Sequence, residues 1–555
     1  MVLAAMAFGA GAQSDDGAPS GGKVRLPDLG SSADALVSPQ EAQDYGAAML
    51  RQMRALHMVV DDPLLDDFIN NLGYRLVAAC AKPRDHFAFF IAKDPEINAF
   101  SAPGGYIGIN SGLIEITRNE NELAAVMAHE IGHMTQNHLV RAFEASKKDS
   151  PLLALVLLGA IAAGTSGRNS GDAGMAVLTG GQGLLEQKQI NFTRKDEAEA
   201  DRAGIRTLAN AGFDPNAMAS FFQRMEDVLS TGSGGDDVPA LLQDHPVTSA
   251  RISDAKSRAR QLIAQQRLHP SGNALDKAQW EKLTAPIPYV RDPTALLAGR
   301  RDADSADTFL LMRERVRVLA GDAQQLSTYY ASNLAKRRGF DTPSNRYGYA
   351  LALTRSGNGA KAVAELQPLL ATQPDNPILR LAMAGARLQA GQREQALAIY
   401  DKLNRESPRN RAIALAYATA LTEGGSRAQA TQAADLLRPL LDETDEPGVY
   451  TAYARASDKA GDSERAGEAF ADASYLSGRP FDAMEQLKRL LKRPDLDYYA
   501  RARIQARLAD LTPLVMELRK RKVQTPDNPS SDDQQPLREN PACAGRLCFG
   551  ADSGP

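Results

Sequence analysis

Cysteine is scarce in this chain: it has three, Cys80 alone and Cys543 with Cys548 near the end. No disulfide framework can therefore hold the main fold, and only a small C-terminal loop bridge stays open. Long apolar runs are missing too. The longest, Leu152 to Gly164, falls short of the roughly 18–20 residues that a spanning helix needs, so nothing reads as a transmembrane anchor. Nor is there an excess of basic residues. With 64 Lys and Arg against 68 Asp and Glu, the net charge of −4 offers no surface for gripping phosphates, and nucleic acid is not expected as a partner.

What is present is ordinary globular composition, 43% hydrophobic and 24% charged, spread over 555 residues. A chain of that length exceeds a single core, so two or more domains are expected. Residues 1–12, MVLAAMAFGAGA, form a short run ending in Ala10-Gly11-Ala12, the A-x-A form that signal peptidase cleaves. Export is expected from it, with a mature start near Gln13. No Lys or Arg precedes the run, which leaves a plain apolar N-terminus as the alternative. Residues 13–35, rich in Gly, Ser, Asp and Pro, read as a flexible leader.

From about 36 to 268 helical spacing mixes with strand-like stretches, HFAFFIA and GGYIGINSGLI, which predicts an α+β domain. A proline-bearing connector follows over 269–305. Over 306–521 the sequence repeats. Gly357, Gly391 and Gly425 are 34 residues apart, as are Ala362, Ala396 and Ala430 and the pair Pro374 and Pro408. A glycine at an inter-helix turn, a small residue where two helices touch and a proline after the second helix describe a tetratricopeptide hairpin, so an all-α solenoid is expected. The step drifts to 36 at Gly461 and Ala466, as in terminal capping repeats. Residues 522–555 are too polar to bury a core and read as a disordered tail.

The chemistry lies in NELAAVMAHEIGHMTQNH, residues 121–138, where apolar residues recur at helical spacing and Asn119 with Glu122 makes an N-terminal cap. Four residues of helix turn about 400°, so His129 and His133 project from one face, a turn apart, where they can share a tetrahedral zinc. Glu130 sits beside them as the general base for a water at that metal. His138, about 140° further round, cannot point at the same ion and reads as a packing or hydrogen-bonding residue. A third protein ligand should come from a later element. In RKDEAEADRAGIRTLANAG, Glu197 and Asp201 are one turn apart: Glu197 could bind metal while Asp201 fixes a ligand histidine. Spacing alone leaves a solvated acidic helix equally open.

HEIGH followed about 60 residues later by EAEAD, together with INAFSAPGGYIGINSGLI before it, resembles the M48 family of metallopeptidases over residues 38–260. The resemblance implies one zinc ion per chain, Glu197 as the third ligand and Asp201 as its support. With a tetratricopeptide array in an exported chain, it extends to the periplasmic members that serve outer-membrane protein assembly. Their implied partners are β-barrel outer-membrane proteins and the assembly machinery, and the implied activity is endopeptidase quality control. An alternative is a chaperone or adaptor with latent proteolysis, since such arrays are primarily binding surfaces. The resemblance also implies that His245, before Pro246, can occupy zinc's fourth position and hold the enzyme latent; a simple turn before the next helix is the alternative. Arg251 is a candidate oxyanion stabiliser.

Two further expectations concern substrate access. Gly105, Tyr106 and Ile107 are expected in an edge strand beside the metal, where a peptide could add as another strand, with an interior strand as the alternative. The segments 151–164 and 174–185 are expected to form a lid or a membrane-touching flap, with a buried core helix as the alternative.

Overall fold

The computed structural model describes residues 38–81, 86–139, 141, 194–231, 239, 241–242, 245–268, 303–520, 525 and 527. The expected signal segment, the leader, the lid segments 151–164 and 174–185, most of the connector and nearly all of the tail lie outside these residues.

Local signals set the first elements. Ser38 and Glu41 form a reciprocal capping box at the start of α1 (Pro39–Ala55). Asp62 accepts from the Leu65 N–H to cap α2 (Pro63–Ala79). Both helices carry Pro in the first turn, where its missing N–H costs nothing. A small sheet follows, β1 (Ala88–Ala92), β2 (Ala99–Ala102) and β3 (Tyr106–Asn110), in the order β1-β3-β2. Then come α3 (Ser111–Ile116) and α4 (Glu120–Thr135), the helix of the histidines.

This order overturns the expectation of an edge strand at Gly105, Tyr106 and Ile107. β3 is central: Tyr106 to Asn110 pairs in parallel with Ala88 to Ala92 and antiparallel with Ala99 to Ala102. The glycines do permit close approach, but to the chain's own backbone. A Cβ on Gly104 would lie 2.5 Å from the Ala42 carbonyl oxygen, and one on Gly105 would lie 2.1 Å from that of His86. Both glycines have positive φ, 78° and 89°, so the pair makes a turn and the strand starts at Tyr106. Ile107 and Ile109 are wholly buried, which suits an interior strand.

α5 (Arg194–Asn210) packs against α4, with α6 (Ala217–Thr231) and α7 (Ser249–Leu268) beside them. The crossing of α4 and α5 is unusually close because both surfaces carry glycine there. A Cβ on Gly132 would stand 3.0 Å from the Ala200 carbonyl oxygen, and one on Gly204 would stand 3.2 Å from that of Ala128. Glu122 fixes the start of α4: its carboxylate takes bonds from the Arg118 N–H, the Ser220 hydroxyl and both arms of Arg224 on α6.

The second half is the expected helical repeat, from α8 (Ala303–Ala320) to a last helix at Tyr498–Lys520. Ala362, Ala396, Ala430 and Ala466 are buried where the paired helices touch. Gly357, Gly391 and Gly461 take positive φ at the turns. In the third repeat it is Gly424 rather than Gly425 that does so, at φ 66°. α8 belongs to both halves: Phe309, Met312 and Val316 are buried in the same core as Phe68, Leu123 and Ile205. Arg315 grips Asp62 at 2.6 Å, Arg317 reaches Glu115 at 2.8 Å, and Arg411 from the repeats pairs with Asp67. Among the described residues no helix is long and apolar enough to cross a membrane.

Candidate metal centre

α4, α5 and the turn before α7 bring four donors together. His129 Nε2 lies 3.0 Å from His133 Nε2 and 3.4 Å from His245 Nδ1. Glu197 Oε1 lies 2.8 Å from His245 Nδ1 and 3.3 Å from His133 Nε2. All four side chains are buried, and their ligating atoms fall within 4.8 Å of one another. Zinc bonds of about 2.0–2.1 Å in a tetrahedron separate the ligand atoms by roughly 3.3–3.4 Å, so the observed spacings suit its edges.

The charge balance fits a dication as well. Glu130, Glu197 and Asp201 bury three carboxylates, and Arg251 pairs with the last two. Burial disfavours a charged His129, yet Asp201 and Glu197 outweigh it and raise its pKa to about 10, a measure of how strongly the pocket calls for positive charge. Burial would raise Glu197, but His245, His129 and His133 hold it well below the carboxylate range. Burial also keeps His133 well below its ordinary value, the neutral form a metal needs.

Around the donors stands a supporting shell. His129 Nδ1 is 3.0 Å from Asp201 Oδ1, which leaves Nε2 facing the cluster. Glu197 turns Oε1 inward, while Oε2 lies 2.8 Å from Arg251 Nη1. The Arg251 guanidinium also donates to both oxygens of Asp201, at 2.8 Å each, and to the Pro246 carbonyl. Arg251, expected as an oxyanion candidate, is thus placed as a brace across Glu197, Asp201 and the His245 turn. Glu130 is 1% exposed, and burial pushes its carboxyl above the ordinary range. Its Oε1 has no hydrogen-bond partner among the described residues and lies 3.8 Å from His245 Nε2. Ser101 of β2 works against that push and lowers the Glu130 carboxyl, and β2, an edge of the described sheet, packs against α4.

The structure therefore brings together His129, Glu130, His133, Glu197, Asp201, His245 and Arg251, and leaves Gly105, Tyr106 and Ile107 inside the sheet. Two features escaped the sequence: the influence of Ser101 on Glu130, and a 2.9 Å contact between the Nδ1 atoms of His133 and His138. The second arises because Asn137 takes φ 57° just after α4 and re-aims the next residue.

Comparison with known proteins bears on what such a centre does. The family model described as peptidase family M48 matches residues 63–259, and a tetratricopeptide repeat model matches 353–420. The chain is 36% identical to the beta-barrel assembly-enhancing protease of Yersinia pestis over 65% of its own length and 72% of the relative's. It is 34% identical to the Escherichia coli K12 protein of that name over 63% of its length and 64% of the relative's. A mitochondrial metalloendopeptidase of Schizosaccharomyces pombe is 29% identical over 33% of this chain and half of its own.

Proposed function

The chain belongs to the M48 family of zinc metallopeptidases, and from that premise we propose an endopeptidase of the periplasm that degrades misassembled outer-membrane β-barrel proteins. The repeat array would hold the substrate or the assembly machinery. The observation that carries the catalytic part is the buried cluster of His129, His133, Glu197 and His245 with Glu130 against it. The names of the Yersinia and Escherichia relatives support the cellular role.

In this reading His129, His133 and Glu197 hold the zinc, which when bound supplies Lewis-acid activation of a water and a peptide carbonyl. Glu130 accepts the water's proton and returns it to the departing amine nitrogen. Its burial suits that work, because a raised carboxyl returns the proton readily. Asp201 holds the His129 tautomer, and Arg251 holds Asp201 and Glu197 in register. A substrate strand would add along β2, the edge that carries Ser101, since β3 has no edge to offer. His245, beside Glu130 and within the donor cluster, would take the place of the attacking water and keep the enzyme latent until its turn moves.

The adaptor reading assigns the main role to the repeat surface. Glu130→Gln separates the two. It should keep zinc and lose proteolysis by about 10²–10⁴-fold. If that variant restores the outer-membrane barrier of a deletion strain as fully as wild type, proteolysis is not the main function.

A further inference from the structure

His138 is 1% exposed and lies outside the donor cluster. Its Nδ1 stands 2.9 Å from His133 Nδ1, so one of the two nitrogens must carry a proton. His133 presents Nε2 to the cluster, 3.0 Å from His129 Nε2 and 3.3 Å from Glu197 Oε1. A nitrogen that gives its lone pair to a cation cannot keep its hydrogen, so the His133 proton belongs on Nδ1. That N–H donates to His138 Nδ1. His138 then carries its own proton on Nε2, which faces Glu199 Oε2 at 3.4 Å and Asp196 Oδ1 at 3.8 Å. Arg141 ties those two carboxylates together, at 3.0 Å to Glu199 and 3.1 Å to Asp196.

The path around His129 has the same logic in shorter form: His129 Nδ1 faces Asp201, and Asp201 is clamped by Arg251. Both paths end on α5. One face of that helix presents Glu197 and Asp201, and the neighbouring face presents Asp196 and Glu199. A second cation at His138, Asp196 and Glu199 is the competing use of the same atoms. Arg141 already supplies the positive charge there, and His138 Nδ1 is turned towards His133.

We propose that His138 is a positioning residue of the zinc centre: it accepts the His133 Nδ1–H, fixes that ligand's tautomer and ring plane, and passes the anchorage on to Glu199, Asp196 and Arg141. The inference rests on the metal centre assigned above. Removal of such a partner usually weakens metal binding by about 10–100-fold. It goes beyond packing, because a ring of the same shape without an acceptor nitrogen could not do it.

The test measures zinc affinity of the purified full chain by competition with a chromophoric chelator, with no substrate present. His138→Phe keeps the ring and removes the acceptor. His138→Asn keeps an acceptor oxygen near the place of Nδ1. We expect His138→Phe to bind zinc about 10–100-fold more weakly, and His138→Asn to recover most of that loss. Unfolding of the zinc-free variants is measured alongside. Wild-type affinity in His138→Phe overturns the proposal, as does a loss matched by an equal fall in zinc-free stability. So does failure of His138→Asn to recover any affinity. A wild-type chain that binds no zinc would sink the metal centre itself, a different failure.

Discussion

The side chain with most at stake is His245. Its Nδ1 sits 2.8 Å from Glu197 Oε1 and 3.4 Å from His129 Nε2, while Nε2 faces Glu130. A fourth protein ligand leaves no room for a nucleophilic water, yet three ligands are enough to keep the ion. His245→Ala is therefore expected to retain zinc at one equivalent and to raise proteolysis severalfold, self-cleavage included. Zinc content and cleavage of an unfolded β-barrel substrate, measured on the same sample, check this; an unchanged or lower rate at equal zinc removes the latch. At this scale the sequence was legible wherever two residues share a helix face. His129 with His133 follows from 3.6 residues per turn; the same spacing puts Glu197 and Asp201 on one face, but their roles come from the resemblance. His138 was not legible in that way. Rotation by 140° correctly excludes it from the metal, but α4 ends at Thr135 and Asn137 takes a left-handed conformation, so no helical wheel predicts which atom it meets. Arg251 was likewise placed by its neighbours: two buried carboxylates claim its guanidinium.

At the scale of elements, the centre depends on how near α4 and α5 approach. Gly132, inside the HEIGH stretch, faces Ala200 of EAEAD, and Gly204 faces Ala128 one turn along. Gly132→Ala sets two effects against each other. Alanine improves helix propensity by about 1 kcal/mol, but a Cβ 3.0 Å from a carbonyl oxygen overpacks the crossing at a cost of about 1–3 kcal/mol. Overpacking should win, and a separation of even a few tenths of an ångström would pull Glu197 from the two histidines. Zinc affinity is expected to fall by roughly an order of magnitude, while helix content by circular dichroism stays constant. Wild-type affinity would show that the crossing has slack. The sequence revealed these helices but not the order of the strands. Pairing of 88–92 with 106–110 is a long-range choice, and Tyr106, Ile107 and Ile109 suit an edge or an interior strand equally. The repeat turns were legible to one residue: Gly424 and Gly425 are adjacent, and only backbone geometry shows which takes positive φ.

For the whole molecule, the boundary read from composition and the boundary read from packing differ. The family match ends at residue 259, within α7, and the next described helix starts at Ala303, which invites a division between them. Packing places α8 on the protease side as much as on the other. Phe309 meets Phe68 with ring centroids 6.4 Å apart, Met312 and Val316 are buried in the shared core, and Arg315 holds the residue that caps α2. Burial of three such side chains contributes about 1.5–3 kcal/mol each, comparable with the 5–15 kcal/mol that keeps a typical domain folded. A shortened protein of residues 36–268 is expected to precipitate or to unfold without cooperativity, whereas one of residues 36–320 should unfold in a single sharp transition. Denaturant titration followed by tryptophan-independent circular dichroism decides between them, and a sharp transition in the shorter protein would refute the idea. It follows that catalysis and cohesion divide this chain at different places. In breeding terms the peptidase is a graft that carries a piece of its rootstock: exchange of the repeat array between relatives would leave a sound enzyme only if the cut falls after Ala320, with the first helix travelling with the active site.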